Sequence, residues 1–186
     1  MTDATIHAHS APEGMDIEEI RQKIRDIPDF PEPGILFRDI TPLLADGAAF
    51  RDLIDRMVER YRGKVDTIVA IESRGFIFGA PLAYALGIGL VPVRKAGKLP
   101  DRTLREEYEL EYGTATLEIH HDAVHSGEHV LLVDDLLATG GTARAAANLV
   151  ERLGGTVTGV FVLAELSALN GRAVLDGYDV TSVVVY

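Results

Sequence analysis

The sequence predicts an α/β fold in which a mostly parallel, twisted sheet is flanked by helices on both faces. Short apolar runs typical of buried strands alternate with stretches of helical periodicity, which is the pattern of such folds. The 186 residues, 47% of them hydrophobic, suffice for one domain with a full core. No repeat, low-complexity tract or linker divides the chain.

The N-terminal residues are expected to lie outside this domain. We expect residues 1–14 to form a disordered tail and 15–186 the domain. Met1–Ser10 has no Lys, Arg or long apolar run, so it is unlike a signal peptide. A first helix is predicted over Asp16–Asp26, and the prolines that follow predict an irregular stretch (Pro28, Pro31, Pro33).

The next elements alternate between helix and strand. Asp46 is expected to cap a helix that ends near Tyr61, because apolar residues keep helical spacing there (Phe50, Leu53, Ile54, Met57, Val58). A strand (Thr67–Ile71), a helix ended by Gly87 (Phe76–Leu86) and another strand (Leu90–Val93) follow.

The second half of the chain repeats this alternation. Ala115, Leu117 and Ile119 alternate with polar residues, including Glu118, which predicts a half-buried strand in a hairpin with Arg105–Leu110. A buried strand comes next (Val130–Val133). A helix follows, in which apolar residues keep helical spacing (Ala146, Leu149, Val150, Leu153) and which Gly154 and Gly155 are expected to cap. Two more strands complete the sheet (Val157–Leu163, Val180–Val185).

The stretch Val130–Thr142 indicates a phosphate site. After the strand come Asp134 and Asp135, then a small turn at the start of the helix (Ala138, Thr139, Gly140, Gly141, Thr142). Helix N-termini carry unpaired N–H groups and favour negative charge, and glycines let a ligand approach closely. The two carboxylates would repel a phosphate but suit vicinal sugar hydroxyls. The ligand implied is a ribose 5-phosphate.

Two other phosphate-binding motifs are excluded. No lysine lies in or after the turn, so it is not the Gly-Lys-Ser/Thr loop of ATPases. The glycines are adjacent and the acidic pair precedes them, unlike the dinucleotide fingerprint.

Positive charge is concentrated elsewhere in an acidic chain. The net charge of −11 argues against nucleic acid as a partner. Basic residues cluster directly after the predicted strand Leu90–Val93 (Arg94, Lys95, Lys98, Arg102, Arg105), and Glu72-Ser73-Arg74-Gly75 forms a second possible anion-binding turn. With no cysteine, the chain has no disulfide, which is compatible with a cytoplasmic location.

These motifs resemble those of known transferases. Val130–Thr142 resembles the phosphoribosyl-diphosphate (PRPP) signature of type I phosphoribosyltransferases. Four further segments resemble the adenine phosphoribosyltransferase family in matching order (Phe30–Ile40, Ser73–Gly79, Arg94–Pro100, Leu110–Gly113). The resemblance covers roughly Phe30–Arg172 and implies a type I phosphoribosyltransferase fold with a small base-binding hood and a mobile loop.

The resemblance also implies a role for each matching residue. Asp134 and Asp135 hold the ribose hydroxyls, and the turn binds the 5-phosphate through Ala138, Thr139, Gly140, Gly141 and Thr142. Pyrophosphate is bound by Ser73, Arg74, Arg94, Lys95 and Lys98, with some of these cations expected from a second subunit and a cis peptide bond expected between Glu72 and Ser73. Adenine is bound by Leu36, Phe37, Arg38 and Leu166. The catalytic residues are Glu111, with Tyr112 beside it, and Arg74.

The implied reaction converts adenine and PRPP into AMP and pyrophosphate. Mg²⁺ is expected to be held mainly through PRPP, with no direct protein ligand, in a cytoplasmic homodimer without membrane or nucleic-acid partners. The alternatives are another base (hypoxanthine, guanine, xanthine or orotate) and a non-catalytic PRPP-binding regulator. Relatives that act on 6-oxopurines typically use a lysine downstream of the PRPP loop to contact the exocyclic oxygen. This chain has no lysine after Lys98, which favours a 6-amino base. The histidine-rich stretch is expected to be a surface loop rather than a metal site (His120, His121, His125, His129).

Overall fold

The computed structural model describes residues 15–109 and 113–186. The expected disordered tail, residues 1–14, lies outside the described residues. The chain divides into two compact units, one ending at Leu53 and one spanning Ile54–Tyr186, which are described separately. Among the helices in the described part of the chain, none has the length and apolarity needed to cross a membrane.

The first unit contains a small antiparallel hairpin. Its elements are α1 (Ile17–Gln22), β1 (Arg25–Pro28), β2 (Leu36–Asp39), α2 (Thr41–Ala45) and the start of α3 (Gly47–Tyr61). The predicted helix Asp16–Asp26 is wrong beyond Gln22, because its last residues belong to β1. Arg25 pairs with Asp39 across the hairpin at 2.6 Å, and Asp26 pairs with Arg38. These cross-strand ion pairs override the local helical pattern.

Two predicted helix boundaries are confirmed. The Asp46 side chain accepts hydrogen bonds from the N–H groups of Ala48 and Ala49 at the start of α3, both at 3.1 Å. Gly87 ends the next helix with a φ of 69°, a left-handed conformation that favours glycine.

The second unit is built on a seven-stranded sheet. Its elements are β3 (Thr67–Ile71), α4 (Gly75–Leu86), β4 (Gly89–Lys95), β5 (Thr103–Glu109), β6 (Thr114–His120), β7 (His129–Leu137), α5 (Gly141–Arg152), β8 (Thr156–Glu165), a 3-10 turn (Ser167–Leu169), α6 (Gly171–Val174) and β9 (Val180–Val185). The strand order is β5-β6-β4-β3-β7-β8-β9. Five strands are parallel and the β5–β6 hairpin adds an antiparallel edge. The predicted α/β sheet is therefore confirmed.

Helices cover opposite faces of this sheet. Val69 and Ile71 of β3 belong to the core that packs against α5. A Cβ built on Gly79 of α4 would lie 2.7 Å from the Cβ of Ala70. Ala70, which lies between Val69 and Ile71 on β3, therefore faces α4 on the other side of the sheet. The chain leaves β3 toward β4 and β7 toward β8, in opposite directions, which makes the carboxyl ends of β3 and β7 a topological switch point. Ligands of open α/β sheets bind at such points.

Strand β7 is longer than the sequence predicts. It continues from Val133 to Leu137, so Asp134 and Asp135 lie within the strand rather than after it. Its pairing with β3 runs only to Val133, whereas its pairing with β8 continues to Leu137. The two carboxylates therefore lie in the part of β7 that extends past the end of β3, at the topological switch point.

Candidate functional site

The turn between β7 and α5 has the geometry of an anion site. Gly140 has a φ of 85° and directly precedes the first residue of α5, Gly141. A cavity of about 70 Å³ opens here, lined by Asp134, Leu136, Leu137, Ala138, Thr139, Gly140, Thr142 and Ala143. The hydroxyls, the helix N-terminus and a carboxylate predicted from the sequence thus meet in one cavity. Such a helix terminus stabilises a phosphate through its N–H groups and its dipole.

The backbone at Gly171 packs closely against this turn. A Cβ on Gly140 would lie 2.5 Å from the carbonyl oxygen of Gly171, and a Cβ on Gly171 would lie 2.3 Å from that of Ala138. The two backbones can approach this closely only because both residues lack a side chain. Sequence reasoning missed Gly171. The Asn170-Gly171 pair signals a turn, but no local pattern indicates where that turn packs.

Asp134 and Asp135, here called the acid pair, are buried to different degrees. Asp135 is buried, and one of its oxygens, Oδ2, lies 2.9 Å from Nε of Arg74. Burial and the negative charge of Asp135 raise the pKa of half-buried Asp134 well above its usual value. Burial also raises the pKa of Asp135, although Arg74 opposes this. Hydroxyl donors from a sugar would stabilise the ionised carboxylates.

The turn after β3 packs directly against the acid pair. The Glu72–Ser73 peptide bond is cis, as the resemblance implied. A Cβ on Gly75 would lie 2.5 Å from the carbonyl oxygen of Val133 and 3.3 Å from Oδ1 of Asp134. Glycine at this position therefore lets the N-terminus of α4 approach β7, and it brings Arg74 to the acid pair.

The predicted pyrophosphate-binding cations gather around Glu72. Its Oε1 lies 3.0 Å from Nη2 of Arg94 and 2.9 Å from Nζ of Lys98, and its Oε2 accepts the main-chain N–H of Lys95 at 3.1 Å. Burial alone would raise the pKa of Glu72, but the hydrogen bonds from Arg94 and Lys98 outweigh burial and lower it to about 2. The structure thus brings Arg74, Arg94 and Lys98 to the end of β3, with exposed Ser73 in the same turn.

The edge hairpin reaches the start of α5. The hydroxyls of Tyr108 and Thr142 are 3.3 Å apart, and a Cβ on Gly141 would lie 3.2 Å from the carbonyl oxygen of Glu109. A cleft of about 350 Å³ lies between β5 and the first turns of α5, lined by Glu107, Tyr108, Glu109 and Arg144 among others. Sequence reasoning missed Tyr108, because it sits among glutamates. Glu111 and Tyr112, which the resemblance places in the mobile catalytic loop, lie outside the described residues, and their roles stay predictions.

The predicted adenine-binding residues fall in both units. Leu36, Phe37 and Arg38 lie on β2, where Phe37 packs edge-to-face on Phe30 at 5.1 Å between ring centroids. Leu166 follows β8 in the second unit, and its N–H donates to the carbonyl of Leu137 at 2.9 Å, beside the end of β7. Their role in adenine binding stays a prediction.

The donor set fits a Mg²⁺ ion that is bound mainly through substrate. Within 15–109 and 113–186, no group of three or more His, Asp or Glu side chains is arranged to hold a metal ion. Asp134 nevertheless supplies a carboxylate at the cavity, and Mg²⁺ characteristically binds one or two carboxylates together with substrate phosphates.

Comparisons with known proteins agree with this architecture. The family model of the phosphoribosyl transferase domain matches residues 39–184. The adenine phosphoribosyltransferase of Thermoanaerobacter sp. (strain X514) is 58% identical over 92% of this chain and 100% of its own length. That of Thermotoga neapolitana is 59% identical over 90% of this chain and 99% of its own.

Solved structures give the same result. The crystal structure of adenine phosphoribosyltransferase from Thermoanaerobacter pseudethanolicus matches with a TM-score of 0.89 and 58% identity, over 92% of this chain and 100% of that one. The Saccharomyces cerevisiae enzyme, complexed with an imino-altritol bisphosphate and adenine, matches with a TM-score of 0.85 and 42% identity, over 90% of this chain and 97% of that one. The chain therefore belongs to the phosphoribosyl transferase domain family and, within it, to the adenine phosphoribosyltransferases.

Proposed function

We propose that this protein transfers the 5-phosphoribosyl group of PRPP to adenine, giving AMP and pyrophosphate, and so salvages purine. The observation that carries the proposal is the cavity at the end of β7, where Asp134 and the Ala138–Thr142 turn line the same space. The choice of adenine is supported by relatives solved with adenine or 9-deazaadenine at 42% and 36% identity.

In this proposal each part of the site holds one part of PRPP. The turn and the first N–H groups of α5 bind the 5-phosphate, and Asp134 and Asp135 accept hydrogen bonds from the ribose hydroxyls. Arg74, Arg94, Lys95 and Lys98, with Ser73, bind the pyrophosphate.

Catalysis then rests on stabilising the departing charge. The bond between the anomeric carbon and pyrophosphate breaks with its electron pair on pyrophosphate, and an adenine nitrogen forms the new bond to that carbon. Arginine and lysine side chains positioned at the leaving group stabilise this transition state more than the ground state. Mg²⁺, when bound, supplies further charge neutralisation at the PRPP oxygens. Glu111 assists proton movement at the imidazole edge of adenine, and Tyr112 lies beside it.

Adenine recognition is assigned to the β2 segment and Leu166. Phe37 stacks on the base, main-chain groups around Leu36 and Arg38 read its Watson–Crick edge, and Leu166 packs on the other side. Stacking on an aromatic ring together with hydrogen bonds to the base edge gives both affinity and selectivity.

We also propose that the enzyme acts as a cytoplasmic homodimer formed by the 15–186 domain. Large apolar side chains on α4 and at the start of β4 are exposed (Ile77, Tyr84, Leu90), and Tyr84 has 90% of its surface accessible. Contiguous exposed apolar surface marks interaction sites, and we assign these side chains to the dimer interface. In a dimer, one or more of the cations Arg94, Lys95 and Lys98 could serve the partner's pyrophosphate site.

The test is a base-by-base turnover assay. The purified protein is incubated with PRPP and MgCl₂, and adenine, hypoxanthine, guanine, xanthine or orotate is added in turn. AMP and stoichiometric pyrophosphate are expected with adenine. Nucleotide formed only with a 6-oxopurine or orotate would reassign the base, and no nucleotide with any base, despite PRPP binding, would indicate a regulator.

A further inference from the structure

A fully buried carboxylate lies on the edge hairpin and takes no part in the chemistry proposed above. Glu118 is on β6, opposite Arg94 of β4 and Arg105 of β5. The alternating pattern of the strand put Glu118 on its polar, solvent-facing side, but the residue is 0% exposed. A buried charged group is retained only where hydrogen bonds and ion pairs satisfy it.

Glu118 is satisfied chiefly by the backbone of the loop between β4 and β5. Its Oε1 accepts the main-chain N–H groups of Lys98 and Leu99, both at 2.8 Å. Its Oε2 lies 3.3 Å from Nε of Arg105 and 3.4 Å from the hydroxyl of Thr103. Burial raises the pKa of this carboxyl, but the backbone hydrogen bonds outweigh burial, so its pKa is lowered and the group is ionised at neutral pH.

The anchored backbone controls two of the predicted pyrophosphate-binding cations. The carbonyl of Lys98 accepts a hydrogen bond from Nη1 of Arg94 at 3.0 Å. The same Arg94 and the Lys98 ammonium converge on Oε1 of Glu72. A continuous chain of contacts therefore runs from Glu118 through the Lys98 backbone to both cationic groups.

We propose that Glu118 is a positioning residue for the pyrophosphate end of the substrate, acting through the Lys98 backbone to orient Arg94 and Lys98. The inference rests on the proposed function, because it requires those cations to bind pyrophosphate. Glu118 itself contacts no substrate. We expect its effect mainly at the pyrophosphate end of PRPP, since Arg94 and Lys98 lie at and just beyond the end of β4, whereas the 5-phosphate turn lies between β7 and α5.

The test measures two ligands separately. Magnesium pyrophosphate and ribose 5-phosphate are titrated calorimetrically into the wild-type protein, E118Q and E118A. Gln keeps the size and one acceptor oxygen but loses the charge, whereas Ala leaves two N–H groups without their acceptor. We expect pyrophosphate affinity to fall about tenfold in E118Q and further in E118A, with ribose 5-phosphate affinity unchanged in both. E107Q is the matched control, because Glu107 is an exposed glutamate on the same hairpin.

The outcomes separate this inference from the function on which it rests. Wild-type affinity for pyrophosphate in both variants, with melting curves showing folded protein, would overturn the positioning role. Equal weakening of both ligands would also overturn it, because general structural damage is not confined to one end of PRPP. If the wild-type protein itself fails to bind pyrophosphate, the proposed function fails first. K98A, which removes a predicted direct contact, serves as the positive reference.

Discussion

Gly171 offers a sharp test of the phosphate turn, because it is distant in sequence and contacts the turn only through close backbone approach. An alanine Cβ at this position would lie 2.3 Å from the carbonyl oxygen of Ala138 and 3.1 Å from the nitrogen of Gly140. Ordinary contact begins at 3.4 Å, so the turn must move by the difference, 3.4 − 2.3 = 1.1 Å. G171A therefore displaces the amides that are proposed to bind the 5-phosphate.

The size of the effect follows from that displacement. Overpacking of this kind costs about 1–3 kcal/mol of folding stability. A misplacement of about 1 Å at a reacting site can lower kcat/KM by about 100-fold. We expect G171A to melt several degrees lower and to lose most of its kcat/KM for PRPP, with the greater part of the loss in KM.

A matched substitution separates steric displacement from a general glycine effect. Gly89 at the start of β4, like Gly171, lacks a positive φ, but a Cβ there would find its nearest neighbour, the Thr67 hydroxyl, at 3.9 Å. G89A should therefore keep wild-type kinetics. The reasoning is refuted if G171A retains kcat/KM for PRPP within twofold, or if G89A loses as much as G171A.

Three further predictions follow from the charged groups. D134N should weaken PRPP binding at least tenfold, measured by titration, and should raise the melting temperature of the unliganded protein at pH 7. The folded-state pKa of Asp134 is raised, so stability falls as pH rises from 3.8 through that pKa, and a neutral Asn avoids this cost. Glu72, whose pKa is lowered from 4.5 to about 2, should contribute stability above pH 4.5 that is lost as pH falls toward 2. Denaturant unfolding of wild type and E72Q should therefore converge at low pH, and a constant difference would contradict the assigned ion pairs. E111A should bind PRPP normally yet lose turnover, and unchanged turnover would remove Glu111 from the mechanism.

The parts of the site that are local in sequence could be predicted. The acid pair, the glycine turn and the start of α5 lie within one strand–turn–helix segment, so spacing and residue type sufficed to indicate a phosphate and a sugar. The end of β7 was placed too early, because Asp134 and Asp135 interrupt the apolar run although β7 continues to pair with β8 as far as Leu137. Two consecutive carboxylates are unusual inside a buried strand, so the apolar residues Leu136 and Leu137 after them were not assigned to it.

The parts that depend on distant contacts could not be predicted. Gly171 packs against the backbone of Ala138 and Gly140, which are distant in sequence, and glycine leaves no side-chain pattern to interpret. Glu118 occupies a polar position in an alternating strand, where solvent exposure is the ordinary expectation, and it is satisfied by the loop between β4 and β5 and by Arg105. The β1–β2 hairpin was missed because its cross-strand ion pairs join residues more than ten positions apart.

A crystal structure of the protein with AMP would test the central claim most directly, since AMP carries both the 5-phosphate and the ribose hydroxyls. We expect the phosphate oxygens within hydrogen-bond distance of the amides of residues 139–142, and the ribose hydroxyls on the carboxylates of Asp134 and Asp135. A phosphate bound away from the N-terminus of α5, or a ribose turned away from the acid pair, would contradict the account.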